Sequence, residues 1–176
     1  MMRYYTGKGD EGCTNVIGPC PLKKNDPIVR ALGDVDELNS AIGFACANIT
    51  DEHLEGMLKG VQNTLFIVGS EIASSGKDAA KNDAIKVKVK ELEEAIEELG
   101  ATLPELKKFV LPRGSIGASC LHLSRAMCRR AEGSFATLNL ADKTAGSYLN
   151  RLSSFLFVAA LYMNKKEGVE ETNPTY

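Results

Sequence analysis

The chain has 176 residues, 44% hydrophobic and 25% charged, with a formal net charge of −2. This is globular composition at a length that supports one domain with a real core, and the slight acidity excludes a general nucleic-acid binder. Two histidines make a zinc site improbable, and five cysteines without a CxxC pair exclude a disulfide scaffold, so we expect a reduced protein of the cytoplasm.

The N-terminal MMRYYTGKGD lacks the apolar run of a signal peptide, and Met2–Tyr5 is the one strand-like stretch. Gly7, Gly9 and Gly12 then alternate with Thr6, Lys8, Asp10, Thr14 and Asn15. Such a string either converges backbone N–H groups on an anion or makes a plain turn. It has no GK[ST] ending and so is not a Walker A loop. Lys23 and Lys24 read either as phosphate contacts or as a solvated pair.

Asp26-Pro27 opens the first helix as cap and first-turn proline. Ile28, Val35, Ile42 and Ile49 form one seam, with Ala31, Leu38 and Ala45 in a second. Asp36 and Asn39 lie just off it. A second helix carries Leu54, Leu58, Val61, Leu65, Val68 and Ile72, and residues 74–83 read as a loop. A third carries Ile85, Val89, Leu92, Ile96 and Leu99 and stops at Gly100. The stretch 107–115 is irregular, and its Phe109 reads as either core or pocket wall.

The fourth helix starts at a Ser115 cap and is apolar on most sides: Leu121, Cys128, Ala131 and Phe135, widened by Ile116, Cys120, Leu123 and Met127. One stripe breaks the pattern, because His122, Arg125, Arg129 and Glu132 share a face and Arg130 lies close by. A helix of this kind should be buried, and buried guanidinium groups need an anion. A phosphate chain and an internal ion-pair network satisfy that need equally well. The last helix runs from about Ala141 to Lys166, with Ala145, Leu149, Leu152, Leu156, Ala159 and Met163 in register and Asn150 and Arg151 off the seam. Its apolar run 155–163 is too short to span a bilayer. The tail beyond Lys166 reads as frayed. Together the segments predict an all-α, five-helix antiparallel bundle behind an irregular Gly-rich N-terminal loop.

Five ordered blocks, YTGKGDEGCT (5–14), GDVDELNSAIG (33–43), FVLPRGS (109–115), LHLSRAMCRRAE (121–132) and YLNRLSSFLF (148–157), resemble the PduO-type ATP:cob(I)alamin adenosyltransferases. The resemblance implies transfer of the 5′-deoxyadenosyl group of ATP to the cobalt of cob(I)alamin, with Mg²⁺ assisting and triphosphate released. It implies a single domain, with residues 1–25 as nucleotide-binding segment, 26–166 as bundle and 167–176 as tail. It also implies a homotrimer with active sites between subunits, a reductase supplying electrons and an adenosylcobalamin-dependent acceptor enzyme. By the same resemblance Thr6, Gly7, Lys8, Gly9, Thr14 and Asn15 wrap ATP, and Lys24, Arg129, Arg130, Glu132 and Asn150 complete that site. Arg125 pairs with Asp36, and Phe109 lies beneath the corrin ring, displacing the lower axial ligand.

Three positions depart from the family pattern: Arg113 where a small residue is usual, Gly133 where many members have arginine, and Ser154 where many have aspartate. A non-catalytic corrinoid carrier or sensor on the same bundle is the main rival. An ATP hydrolase is another. A ferritin-like metal bundle is poorly supported, because neither histidine follows a glutamate by three residues.

Overall fold

A computed structural model describes residues 4–16 and 21–176. It holds five long helices: α1 (Pro27–Cys46), α2 (Glu52–Ala73), α3 (Ala79–Gly100), α4 (Ile116–Thr137) and α5 (Thr144–Lys166). By their packing they close into a ring in the order α1, α4, α5, α3, α2. The heptad seams supply the core: Leu38 and Ile42, Leu58 and Leu65, Ile85, Leu121, and Leu149 with Leu156 are all fully buried. The helix seams read from the sequence therefore stand.

Side chains set the helix starts. Asp26 accepts the Ile28 N–H at 2.8 Å, Asp51 the Leu54 N–H at 2.8 Å and Ser115 the Ala118 N–H at 3.2 Å. Two starts differ from expectation. Asp78 accepts the Lys81 N–H at 3.2 Å, so α3 begins at Ala79, inside the stretch read as loop. Asp142 takes the Thr144 N–H at 2.7 Å, which holds residues 141–143 in a turn and delays α5 to Thr144.

A small antiparallel hairpin precedes the bundle, with β1 (Cys13–Thr14) paired to β2 (Leu22–Lys23). Two-residue strands of this kind carry no alternation to read. Tyr4 and Tyr5 are not in a strand, and Met2 and Arg3 of the expected strand lie outside the described residues, as does Cys20.

Nor is the tail frayed. The Leu111 N–H donates to the Thr172 carbonyl at 2.7 Å and Asn173 Nδ2 to the Phe109 carbonyl at 2.8 Å. Asn164, fully buried at the end of α5, accepts the Ser115 N–H at 2.9 Å and donates to the Arg113 carbonyl at 3.1 Å and to Glu171 at 3.0 Å. Tail and 107–115 loop thus brace each other over the end of α5.

Among the described residues no helix is long and apolar enough to cross a membrane.

Candidate functional site

The α4 stripe is less buried than its sequence suggests. The helix packs on α1 and α5 only, so its third side faces solvent: Ile116 and Leu123 are exposed, Arg129 and Arg130 are exposed and Arg125 is half-buried. Arg130 is already neutralised by α1, where it pairs with Glu37 and lies 3.5 Å from Asp34. Arg129 forms no ion pair among the described residues. Glu132 accepts Asn150 Nδ2 at 2.9 Å, and this pair lines a cleft of about 430 Å³ with Lys143 and Ser147. Arg151 lines the same cleft, and its Nε is held by Glu93 on α3 at 3.0 Å.

Arg125 and Phe109 face one cavity. With Leu106, Lys107, Lys108, Val110 and Phe157 they line a space of about 630 Å³ between the 106–110 loop, α4 and α5. Phe109 is 80% exposed, which overturns its reading as core. The Arg125 guanidinium lies 5.8 Å from the Phe157 ring centre, close enough for cation–π attraction. His122, one turn before Arg125, is buried behind Phe157 with its ring centre 6.1 Å away. Burial, then the Arg125 charge, push the His122 pKa down and favour its neutral form.

Asp36 does not meet Arg125 within one chain. It is exposed and lines a separate polar hollow of about 410 Å³ with Asn39, Lys59 and Phe66 on α1 and α2.

The Gly-rich segment is built as a cradle around Lys24. The hairpin returns the chain so that the Lys24 N–H donates to the Gly12 carbonyl at 2.8 Å. The Lys24 ammonium lies over the Gly9 backbone, where a Cβ would stand 3.3 Å from Nζ, a tight contact that a small shift of the lysine end relieves. Thr6, Lys8 and Asn15 are exposed around it and Thr14 is half-buried in β1. Among the described residues no hydrogen bond or ion pair joins this cradle to the Glu132–Asn150 cleft.

Two residues beside the site carried no sequence signal. Phe157 reads as core inside an apolar helix. Asn164 reads as a surface residue where α5 turns polar, yet it holds the loop that carries Phe109.

Residues 4–163 match the family model described as cobalamin adenosyltransferase. The chain belongs to that family. Corrinoid adenosyltransferase MMAB of Mus musculus is 39% identical to this cobalamin adenosyltransferase family member over 179 residues, covering 96% of the chain and 76% of the mouse protein. The corrinoid adenosyltransferase of Bacillus subtilis is 38% identical over 177 residues, covering 96% and 90%. The structure of a PduO-type ATP:corrinoid adenosyltransferase from Lactobacillus reuteri superposes with a TM-score of 0.90 at 34% identity, covering 99% of this chain and all 100% of that one. That protein is a variant in which alanine replaces a phenylalanine, and it is complexed with cobalamin and ATP. Cobalamin adenosyltransferase family membership accords with both the five-helix ring and the five sequence blocks.

Proposed function

We infer that this chain transfers the 5′-deoxyadenosyl group of ATP to the cobalt of cob(I)alamin, giving adenosylcobalamin and triphosphate. One observation carries the reading: exposed, anchored Phe109 shares a cavity of about 630 Å³ with Leu106, Val110 and Phe157, an apolar wall for the face of a large, flat ligand, while Lys107, Lys108 and Arg125 in the same lining offer cations to polar groups at its edge. In the reaction the cobalt electron pair attacks C5′, the C5′–O bond breaks, and its electrons leave on triphosphate. Cob(I)alamin is nucleophilic by itself, so the protein's tasks are alignment and stabilisation of the leaving anion. The cradle of Thr6, Gly7, Lys8, Gly9, Thr14 and Asn15, with Lys24, receives the phosphate chain. Arg129, exposed on α4 and in no ion pair among the described residues, is offered to the phosphates, and Glu132 with Asn150 fixes the nucleotide from the cleft. Arg130, engaged with Glu37 and Asp34, acts more as a brace between α1 and α4 than as a ligand.

Mg²⁺ would add positive charge on the phosphates as the bond to C5′ breaks. The described residues hold no cluster of three or more metal-ligating side chains, which fits an ion carried mainly by phosphate oxygens and water. Mixing the protein with ATP, Mg²⁺ and chemically reduced cobalamin should give the absorbance of the cobalt–carbon product and one triphosphate per turnover. Release of phosphate or diphosphate would favour the hydrolase, and binding without product would favour the carrier.

Arg129→Ala should weaken ATP binding and slow transfer together by about one to two decades, the loss of one charge-assisted contact. Wild-type ATP affinity and turnover in this variant would remove Arg129 from the site.

The separated half-sites support assembly as a homotrimer with active sites between subunits. Exposed Phe44 and Phe66 accompany Asp36 on α1 and α2, while exposed Ile116 and Leu123 accompany Arg125 on α4. Two unlike faces, one polar with the Asp36 carboxylate and one carrying the Arg125 guanidinium, suit a head-to-tail contact that closes into a ring. Asp36 of one subunit then meets Arg125 of the next. Light scattering should give three times the 19.0 kDa chain mass. Asp36→Ala and Arg125→Ala should each loosen the trimer, and the double variant should lose little more than either alone. A monomer at working concentration, or strictly additive losses, would break this arrangement. A separate reductase supplying electrons and an acceptor enzyme for the product complete the proposal.

A further inference from the structure

His122 is 4% exposed, and neither Nδ1 nor Nε2 has a hydrogen-bond partner. Buried polar atoms in native proteins are nearly always paired, so an imidazole with both nitrogens unpaired needs a reason. Within one chain the Nε of Arg125, on the same face of α4, is likewise buried without a partner, although its terminal nitrogens are the ones offered to Asp36 of a neighbouring subunit. Both side chains lie against one ring, that of Phe157, at 6.1 and 5.8 Å. Arg125 and Phe157 also line the cavity that holds Phe109, whereas His122 stands behind them. A purely structural residue here would be apolar, since phenylalanine or leucine would fill the space without the cost of unpaired nitrogens.

We propose that His122 is a positioning residue for the corrinoid: it sets the Phe157 ring and the Arg125 side chain that line the cavity, and its imidazole gains a hydrogen bond when a corrinoid fills that cavity. This rests on the reading of the cavity as the corrinoid site. The logic is one of stored cost. Phe157 and Arg125 cover the imidazole in the chain by itself. A ligand that draws either one toward itself uncovers a ring nitrogen to a water or an amide oxygen. The hydrogen bond gained then adds to corrinoid affinity without His122 touching the ligand. ATP, held by other residues, has no such effect.

The chain has only two histidines, which makes the imidazoles direct reporters. His53 is an internal control, bonded to Glu98 at 2.7 Å on the surface. In nitrogen-15 NMR of the intact protein, adenosylcobalamin (the diamagnetic product) should move the His122 ring signals, leave those of His53 in place, and do so where ATP alone does not. His122→Phe removes both nitrogens. It should keep or raise the thermal midpoint and leave the KM for ATP unchanged, while raising the KM for cob(I)alamin about tenfold, the worth of one hydrogen bond. His122→Gln, which keeps a donor and an acceptor, should recover part of that loss and covers the case in which the phenylalanine variant does not fold. His122 signals indifferent to adenosylcobalamin, or a folded His122→Phe enzyme with wild-type KM for cob(I)alamin, would overturn the proposal. Wild-type turnover is measured first: if the wild-type protein makes no adenosylcobalamin, the functional reading fails, whereas an active enzyme with silent His122 signals condemns only the role given to this residue.

Discussion

Gly114→Ala should lower the thermal midpoint by about 6–12 °C and abolish most adenosyl transfer, although the residue touches neither substrate. Gly114 has φ 138°, a region L-residues avoid. A Cβ there would stand 1.9 Å from Asn164 Oδ1 and 2.4 Å from its Cγ and Nδ2. Asn164 cannot step aside, because it is 1% exposed and its amide ties the Ser115 N–H, the Arg113 carbonyl and Glu171 together. Room for a methyl group therefore comes only by breaking that network. Each lost hydrogen bond costs about 1 kcal/mol and a stranded amide more, so the sum is about 3 kcal/mol or above. For a chain of this size each kcal/mol moves the midpoint by roughly 2–4 °C. The network also fixes the start of α4 and the loop that carries Phe109, so activity falls with it. Asn164→Ala should act in the same direction by removing the anchor instead of crowding it. Thermal melts followed by circular dichroism, with the adenosylation assay alongside, check both variants. A Gly114→Ala protein with wild-type midpoint and turnover would show that the loop tolerates what its geometry forbids.

The contrast between that loop and the helices shows what the sequence makes legible. Helix seams repeat along the chain and are read without knowing any neighbour, so the core positions they predict, Leu38, Leu65, Ile85, Leu121 and Leu149, are the ones buried in the bundle. Periodicity does not say how many neighbours a helix has. The apolar breadth of α4 therefore suggested full burial, whereas α4 packs on two helices and leaves Arg129, Arg130 and Leu123 in solvent. The Gly-rich string and Lys24 are each legible as candidate anion contacts, but the hairpin of two-residue strands that brings them together rests on backbone bonds and leaves no side-chain pattern. Asn164 was missed for a related reason: its partners are backbone groups of residues 113 and 115 and a tail carboxylate, which only the fold brings to it. The site residues named from family likeness fall into groups the structure does assemble, Phe109 with Arg125 and Glu132 with Asn150, and one it does not join within a chain, Asp36 with Arg125.

Phe109→Ala should separate two starting points of the same reaction. From cob(II)alamin with a mild reductant, adenosylation should fall by about two decades, equivalent to roughly 2.7 kcal/mol of barrier. From cob(I)alamin reduced beforehand it should fall far less, and ATP affinity should stay at the wild-type level. The expectation follows from the role we propose for Phe109, a wedge beneath the corrin ring. Cob(II)alamin resists reduction while its lower nitrogen ligand donates to the metal, and losing that donor favours the electron-rich state. An aromatic ring pressed against the lower face removes the ligand and keeps water from replacing it. Phe109 suits the task because it is 80% exposed on a loop that is itself fixed: its carbonyl is held by Asn173 at 2.8 Å, and the Leu111 N–H two residues on by Thr172 at 2.7 Å. An apolar ring held rigidly in the open is unfavourable unless a ligand covers it, and Leu106, Val110 and Phe157 line the same cavity around it. The exposure also separates this role from a structural one. A core phenylalanine cut to alanine costs about 3–5 kcal/mol of stability, whereas this variant should melt with the wild type. Because the Gly9–Lys24 cradle and the Glu132–Asn150 cleft are built from other segments, ATP binding has no reason to change. Magnetic circular dichroism in the presence of ATP reports the four-coordinate cob(II)alamin directly, and its signal should vanish in the variant. Wild-type amounts of that species in Phe109→Ala would show that some other group displaces the lower ligand, and Phe157, across the same cavity, would be the next side chain to truncate.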